Sequence, residues 1–163
     1  MTKIVQILWW MTIALLIAQS LYYYPLLPES MASHFDGQGT PDSYAPKSQF
    51  IIIWYCLIVF LNIWVILPRI LMKKLPVELI NVPNKAYWVS TPERRMELAR
   101  MVSTVMEIIF VAVNLLMLYA FYYTVMVNLG QAPAFSIGWM IIVVLAIVAM
   151  SIFYMVRRTR MPA

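Results

Sequence analysis

Four stretches of this chain stay apolar for about twenty residues each, the length a helix needs to cross the ~30 Å hydrocarbon core of a bilayer. They cover residues 4–24, 49–71, 102–127 and 135–156. Lipid offers the backbone no hydrogen bonds, so a spanning segment must satisfy its own, and runs of this length do so as helices. Composition agrees: of 163 residues, 63% are hydrophobic and 12% charged, where soluble domains carry roughly 25% charged. The expected fold is an all-α membrane protein, one polytopic domain of four transmembrane helices. Lys3 ahead of an apolar run and Ala18-Gln19-Ser20 loosely imitate a secretion signal. The run is longer than the about 7 to 15 residues of a signal core, so it is read as a retained span.

Charge sets the expected orientation. The formal net charge of +5 does not point to nucleic acid, because the basic residues sit in short segments beside the apolar runs. Residues 72–100 carry Lys73, Lys74, Lys85, Arg94, Arg95 and Arg100 against Glu78, Glu93 and Glu97, and the C-terminus adds Arg157, Arg158 and Arg160. Residues 25–48 hold only Lys47 against Glu29, Asp36 and Asp42. Basic loops stay on the cytoplasmic side. Both termini and the loop 72–100 are therefore expected in the cytoplasm, with 25–48 outside. Trp9 and Trp10, the cluster Tyr22, Tyr23 and Tyr24, Trp139 and the pair Phe153 and Tyr154 are read as aromatic belts at headgroup depth.

Local signals divide the chain further. Pro25 and Pro28 should stop the first helix, and Pro68 with Arg69 the second, because proline lacks the amide donor and clashes with the preceding turn. Thr91, Pro92 and Glu93 read as cap, first helical residue and dipole partner of a third helix that starts before the membrane does and stops at Gly130. Over that interval it would reach ~55 Å. Leu98, Val102, Val105 and Ile109 form its apolar stripe.

Residues 25–48 are too long and too structured in composition for a plain connection. Connections beyond about 12 to 15 residues are functional or disordered, and the prolines, glycines and aromatics here favour an ordered outer loop. It contains the single histidine, in His34-Phe35-Asp36-Gly37-Gln38-Gly39, followed by Thr40-Pro41-Asp42-Ser43, which reads as a tight turn. His34 with Asp36, Asp42 or Glu29 could ligate a metal; the plainer expectation is that His34 bonds backbone groups and pins the loop. No nucleophile motif accompanies it. Cys56 is the only cysteine, so neither an intrachain disulfide nor a cysteine zinc site is expected, and no cofactor is implied.

Within the spans, Glu107 is the one acidic residue. Helical spacing puts Ser103, Glu107 and Asn114 on one face, with Asn62 at comparable depth. Charge in a membrane usually meets a partner or a wet cavity, so the cluster is either an ion or proton relay or interhelical glue. In the inner loop, Asn84, Lys85, Tyr87, Trp88, Arg94 and Arg95 mix aromatic and basic character, which suits an anchor in the inner headgroup layer or a dock for a cytoplasmic partner.

Leu27-Pro28, His34-Phe35, Gly39, Pro41-Asp42 and Lys47 resemble the LP…HF…G.PD…K signature of a bacterial membrane family of unknown function found in the N-terminal part of SdpI-type immunity proteins. Pro83-Asn84-Lys85, Tyr87-Trp88 and Pro92-Glu93-Arg94-Arg95 resemble the PNK.YW…PERR stretch of its stand-alone members. The resemblance implies a multi-pass protein of the bacterial inner membrane, with toxin immunity and signalling belonging to longer relatives. Residues and resemblance together lead to the expectation of a non-enzymatic binding or accessory protein. His34, Phe35, Asp36, Gly39, Asp42 and Lys47 would form its outer binding surface, and its partners would be membrane lipids, a peptide, another membrane subunit or a second copy. The alternative is a small ion- or proton-coupled transport component built on Glu107.

Overall fold

A computed structural model describes residues 2–131 and 137–160. In chain order they form α1 (Thr2–Tyr23), β1 (Ser30–Phe35), β2 (Pro41–Pro46), α2 (Lys47–Lys74), α3 (Lys85–Trp88), α4 (Pro92–Asn128) and α5 (Ile137–Arg160). The four long helices are each apolar and long enough to cross a membrane. The expected start of the fourth span, Phe135, lies outside the described residues.

α4 is the axis of the bundle, packing on α1, α2 and α5, while α1 and α2 meet each other sparingly. Its start follows the local signals: the Thr91 hydroxyl accepts from the Arg94 amide at 3.3 Å, and Pro92 occupies the first turn, where its missing N–H costs nothing. At 37 residues it extends ~55 Å, as its boundaries predict, and Leu98 and Val105 of its apolar stripe are buried. Gly130 follows it at φ 70°, the left-handed conformation that closes helices and that glycine adopts without strain.

Cross-helix contacts give the chain direction. Trp9 bonds Asn62 while Ser20 bonds Tyr55, so α1 and α2 run antiparallel. Phe121 packs on Trp54 and Phe50, whereas Asn114 bonds Asn62, so α2 and α4 do too. One end of the bundle therefore gathers the end of α1, the start of α2 and the end of α4. The other gathers residues 75–91, the start of α4 and the end of α5. The main core lies toward the first end, where Leu16, Trp54, Ile58, Phe121 and Val125 pack with Leu27 and Met31 from the connection between α1 and α2.

That connection forms a β-hairpin. β1 and β2 pair antiparallel with irregular register around His34. The tight turn does not fall at Thr40-Pro41-Asp42-Ser43. It falls at 36–40, where the Asp36 amide donates to the Thr40 carbonyl and the Gly39 amide to the Asp36 carbonyl. Pro41 begins β2 instead, a strand-end position where a missing donor is harmless.

One further expectation is corrected. Pro68 does not end the second helix: α2 continues through it to Lys74, since proline deletes one helical bond without forcing a stop where neighbouring packing holds the backbone. The loop between α2 and α4, read as an aromatic and basic anchor or dock, turns its tryptophan inward. It folds into a short 3-10 turn at Val77–Leu79 and α3, and Trp88 is buried with Ile80 and Leu98. Trp88 finds a partner for its indole N–H in the Thr159 carbonyl of α5, at 2.9 Å.

Candidate functional site at the hairpin end

Four attachments hold the hairpin to the bundle. The Asn128 side chain, at the last turn of α4, accepts from the Ala32 amide at 2.7 Å and donates to the Ala32 carbonyl at 3.1 Å. It thereby occupies the outer edge of β1 as a neighbouring strand would. Phe35 meets the Tyr123 ring edge-on with centroids 5.8 Å apart. Gly39 lies so close to Tyr123 that a Cβ there would stand 2.6 Å from the phenolic oxygen. Lys47 pairs with Glu29 at 2.8 Å, donates to the Leu27 carbonyl at 3.4 Å and sits over the Tyr24 ring.

Asp36 shapes the tip. One of its carboxylate oxygens accepts from the amides of Gln38 at 2.9 Å and Thr40 at 2.8 Å, an arrangement in which a short acidic side chain fixes the turn that follows it. The His34 side chain bonds no backbone group among the described residues, contrary to expectation. Its Nδ1 lies 2.5 Å from the Asp42 carboxylate on the facing strand; the His34 side chain is largely exposed and that of Asp42 nearly half exposed. Among the described residues no three His, Cys, Asp or Glu side chains converge as a metal site would require.

The predicted outer residues are thus brought together, and they divide by role. Phe35, Gly39 and Lys47 fasten the hairpin; His34, Asp36 and Asp42 present their side chains to water, with Tyr44 beside them at 64% exposed. Asn128 was missed. An asparagine two residues before a glycine reads as a helix end, and no local pattern says that its amide will meet a strand ninety-six residues away.

Deeper in the bundle, Asn62 and Asn114 exchange hydrogen bonds at 3.1 and 3.0 Å. Trp9 donates to the Asn62 oxygen at 2.7 Å, and Asn114 donates to the Thr12 hydroxyl at 3.0 Å. The network joins α1, α2 and α4 and is wholly buried. Trp9 is therefore part of the interior and not of an aromatic belt, unlike exposed Trp10. Ser103 and Glu107 share the same side of α4 and are buried too, at 3% and 1% exposed, but take no part in the amide network. The Ser103 hydroxyl has no partner among the described residues.

The inner-loop residues occupy the opposite end. Arg94 stacks on Tyr87 at 4.1 Å and donates to the Ser90 hydroxyl at 2.7 Å; Lys85 donates to the Glu78 carbonyl at 3.1 Å, and Arg95 to the Leu75 carbonyl. Asn84 precedes α3 in the left-handed conformation at φ 54°, which asparagine tolerates better than most residues.

Fold and site define a multi-pass helical membrane protein with a small extramembrane β-hairpin. A family model described as a domain of unknown function, DUF1648, matches residues 11–59, which run from within α1 through the hairpin into α2. No curated protein and no solved structure matches the chain.

Proposed function

We propose that the chain is a non-enzymatic binding or accessory protein of the SdpI-like type in the bacterial inner membrane. Its hairpin would face outward and contact a peptide or another membrane subunit, with toxin immunity or signalling as the version the resemblance implies. The observation that carries this reading is a hairpin fastened through Asn128, Gly39 and Lys47 that leaves His34, Asp36, Asp42 and Tyr44 exposed. A surface ordered before its partner arrives loses less entropy on binding. The distribution of basic residues toward the opposite end supports the outward placement.

A single cysteine at Ser43, in a Cys56→Ser background, tests both parts with a membrane-impermeant thiol crosslinker on intact cells. The expected result is labelling from outside and a crosslink to one defined partner, weakened by Asp36→Ala with insertion unchanged. A cysteine at Ser90 should be protected. Protection of Ser43, or labelling there with no partner under any growth condition, would count decisively against the proposal.

A second reading is favoured by the burial of Glu107 at 1% exposed. It makes the chain a small proton- or ion-coupled transport component, since an acidic group at membrane depth is costly and usually functional. Glu107→Gln should then abolish flux driven by a pH gradient in reconstituted liposomes. Equal flux from both proteins would remove this alternative.

A further inference from the structure

The end of the bundle remote from the hairpin joins two segments that are far apart in sequence. Trp88 donates its indole N–H to the Thr159 carbonyl, one of the last carbonyls of α5, which have no partner within their own helix. The bond seats the last turn of α5 against α3 and the start of α4. Arg158 and Arg160 flank Thr159 in sequence, each about 100° round the helix from it. From α4, Leu98 packs on Trp88. Arg94 precedes it by one turn on the same face, where its guanidinium lies on the Tyr87 ring.

The result brings Arg94, stacked beside Trp88 on Tyr87, and the sequence neighbours of Thr159, Arg158 and Arg160, to the same end of the membrane-length helices as one buried tryptophan. Residues 75–100 and 157–160 together carry seven basic side chains, with Glu78, Glu93 and Glu97 as their only acidic ones. Arginine held flat on an aromatic ring keeps its N–H groups in a fixed plane, which suits the oxygens of a phosphate.

We propose that the Trp88–Thr159 junction is a binding site for the phosphate of an anionic phospholipid, with Arg94, Arg158 and Arg160 as its cationic contacts. Lipid is the occupant that the charge favours, because basic side chains gathered at one end of membrane-length helices complement anionic headgroups. The site is more than a general basic bias. It depends on the indole bond that brings α5 to α3, and it stands independently of what the hairpin binds.

The full chain in detergent can be titrated with phosphatidylglycerol and with phosphatidylcholine, reading bound lipid by native mass spectrometry. Selective retention of phosphatidylglycerol is expected, with affinity falling roughly fivefold for each arginine removed in Arg158→Gln and Arg160→Gln. Lys3→Gln with Arg100→Gln removes the same charge elsewhere: Arg100 lies about 200° round α4 from Leu98, away from the indole. That control should bind as wild type. Trp88→Phe keeps all charge and should weaken retention, and a folded Arg158→Gln/Arg160→Gln protein keeps the test decisive if the Trp88 variant does not fold. Equal losses in control and site variants would mean diffuse electrostatics, and retention of both lipids alike would mean no site. Saturable binding of inorganic phosphate that displaces the lipid would make it a site for soluble phosphate; each outcome overturns the proposal.

Discussion

Gly39 stands at φ +82° with the Tyr123 hydroxyl where its side chain would be. Two separate costs would meet any replacement: left-handed strain of about 1–3 kcal/mol for a residue with a Cβ, and displacement of a phenol held edge-on to Phe35. Gly39→Ala is expected to lower thermal stability by several degrees, since 1 kcal/mol shifts a chain of this size by roughly 2–4 °C. Tyr123→Phe should recover the steric part of that loss and not the strain. Gly39→Asn should be milder than Gly39→Ala in backbone strain, because asparagine tolerates this conformation. Full rescue by Tyr123→Phe would show that the backbone geometry is unimportant, and no rescue that the phenol does not crowd the turn. The glycine was readable in the sequence as part of a turn motif. Its neighbour was not, because Tyr123 belongs to a helix eighty-four residues further on.

Among the elements, α4 does most of the organising, and its polar side chains mark where the others attach. The Asn62–Asn114 exchange leaves both amide donors of each residue satisfied, so neither can be lost alone without stranding the other. Buried interhelical hydrogen bonds in membranes contribute roughly 0.6–1.7 kcal/mol each. Asn62→Leu and Asn114→Leu are each expected to destabilise by about 1–2 kcal/mol, and the double variant by less than their sum, since the second substitution removes a group already left without its partner. Strict additivity in a double-mutant cycle would mean that the two amides do not act as a pair. Helical spacing was enough to place Asn114 on an inward face and Asn62 at matching depth. It could not place Trp9 and Thr12 in the same network, because a tryptophan near a helix end reads equally well as a headgroup anchor.

At the scale of the whole molecule, the two ends differ in kind. One carries the hairpin, with Glu29, Asp36 and Asp42 against Lys47; the other carries most of the basic residues and a folded cap around Trp88. α5 is the least enclosed of the long helices, burying Val144, Ser151 and Thr159, and its attachment at the end remote from the hairpin rests on the indole bond and its packing on α4. The exposed apolar faces of α1, α2 and α5 fit a lipid surrounding, in which leucine and valine gain little from being covered by protein.

What the amino-acid order determined alone was the number and rough extent of the helices and the capped start of α4. These follow from run length, proline and glycine placement and backbone hydrogen bonding, all of which act within a few residues. Tertiary structure decided that this connection is a hairpin, that Asn128 serves as its neighbouring strand, that Trp9 and Trp88 lie inside and that α5 is tied to the inner loop. Each of those depends on which groups meet across the bundle. A buried N–H or C=O must find a partner somewhere, and only the packed chain determines where.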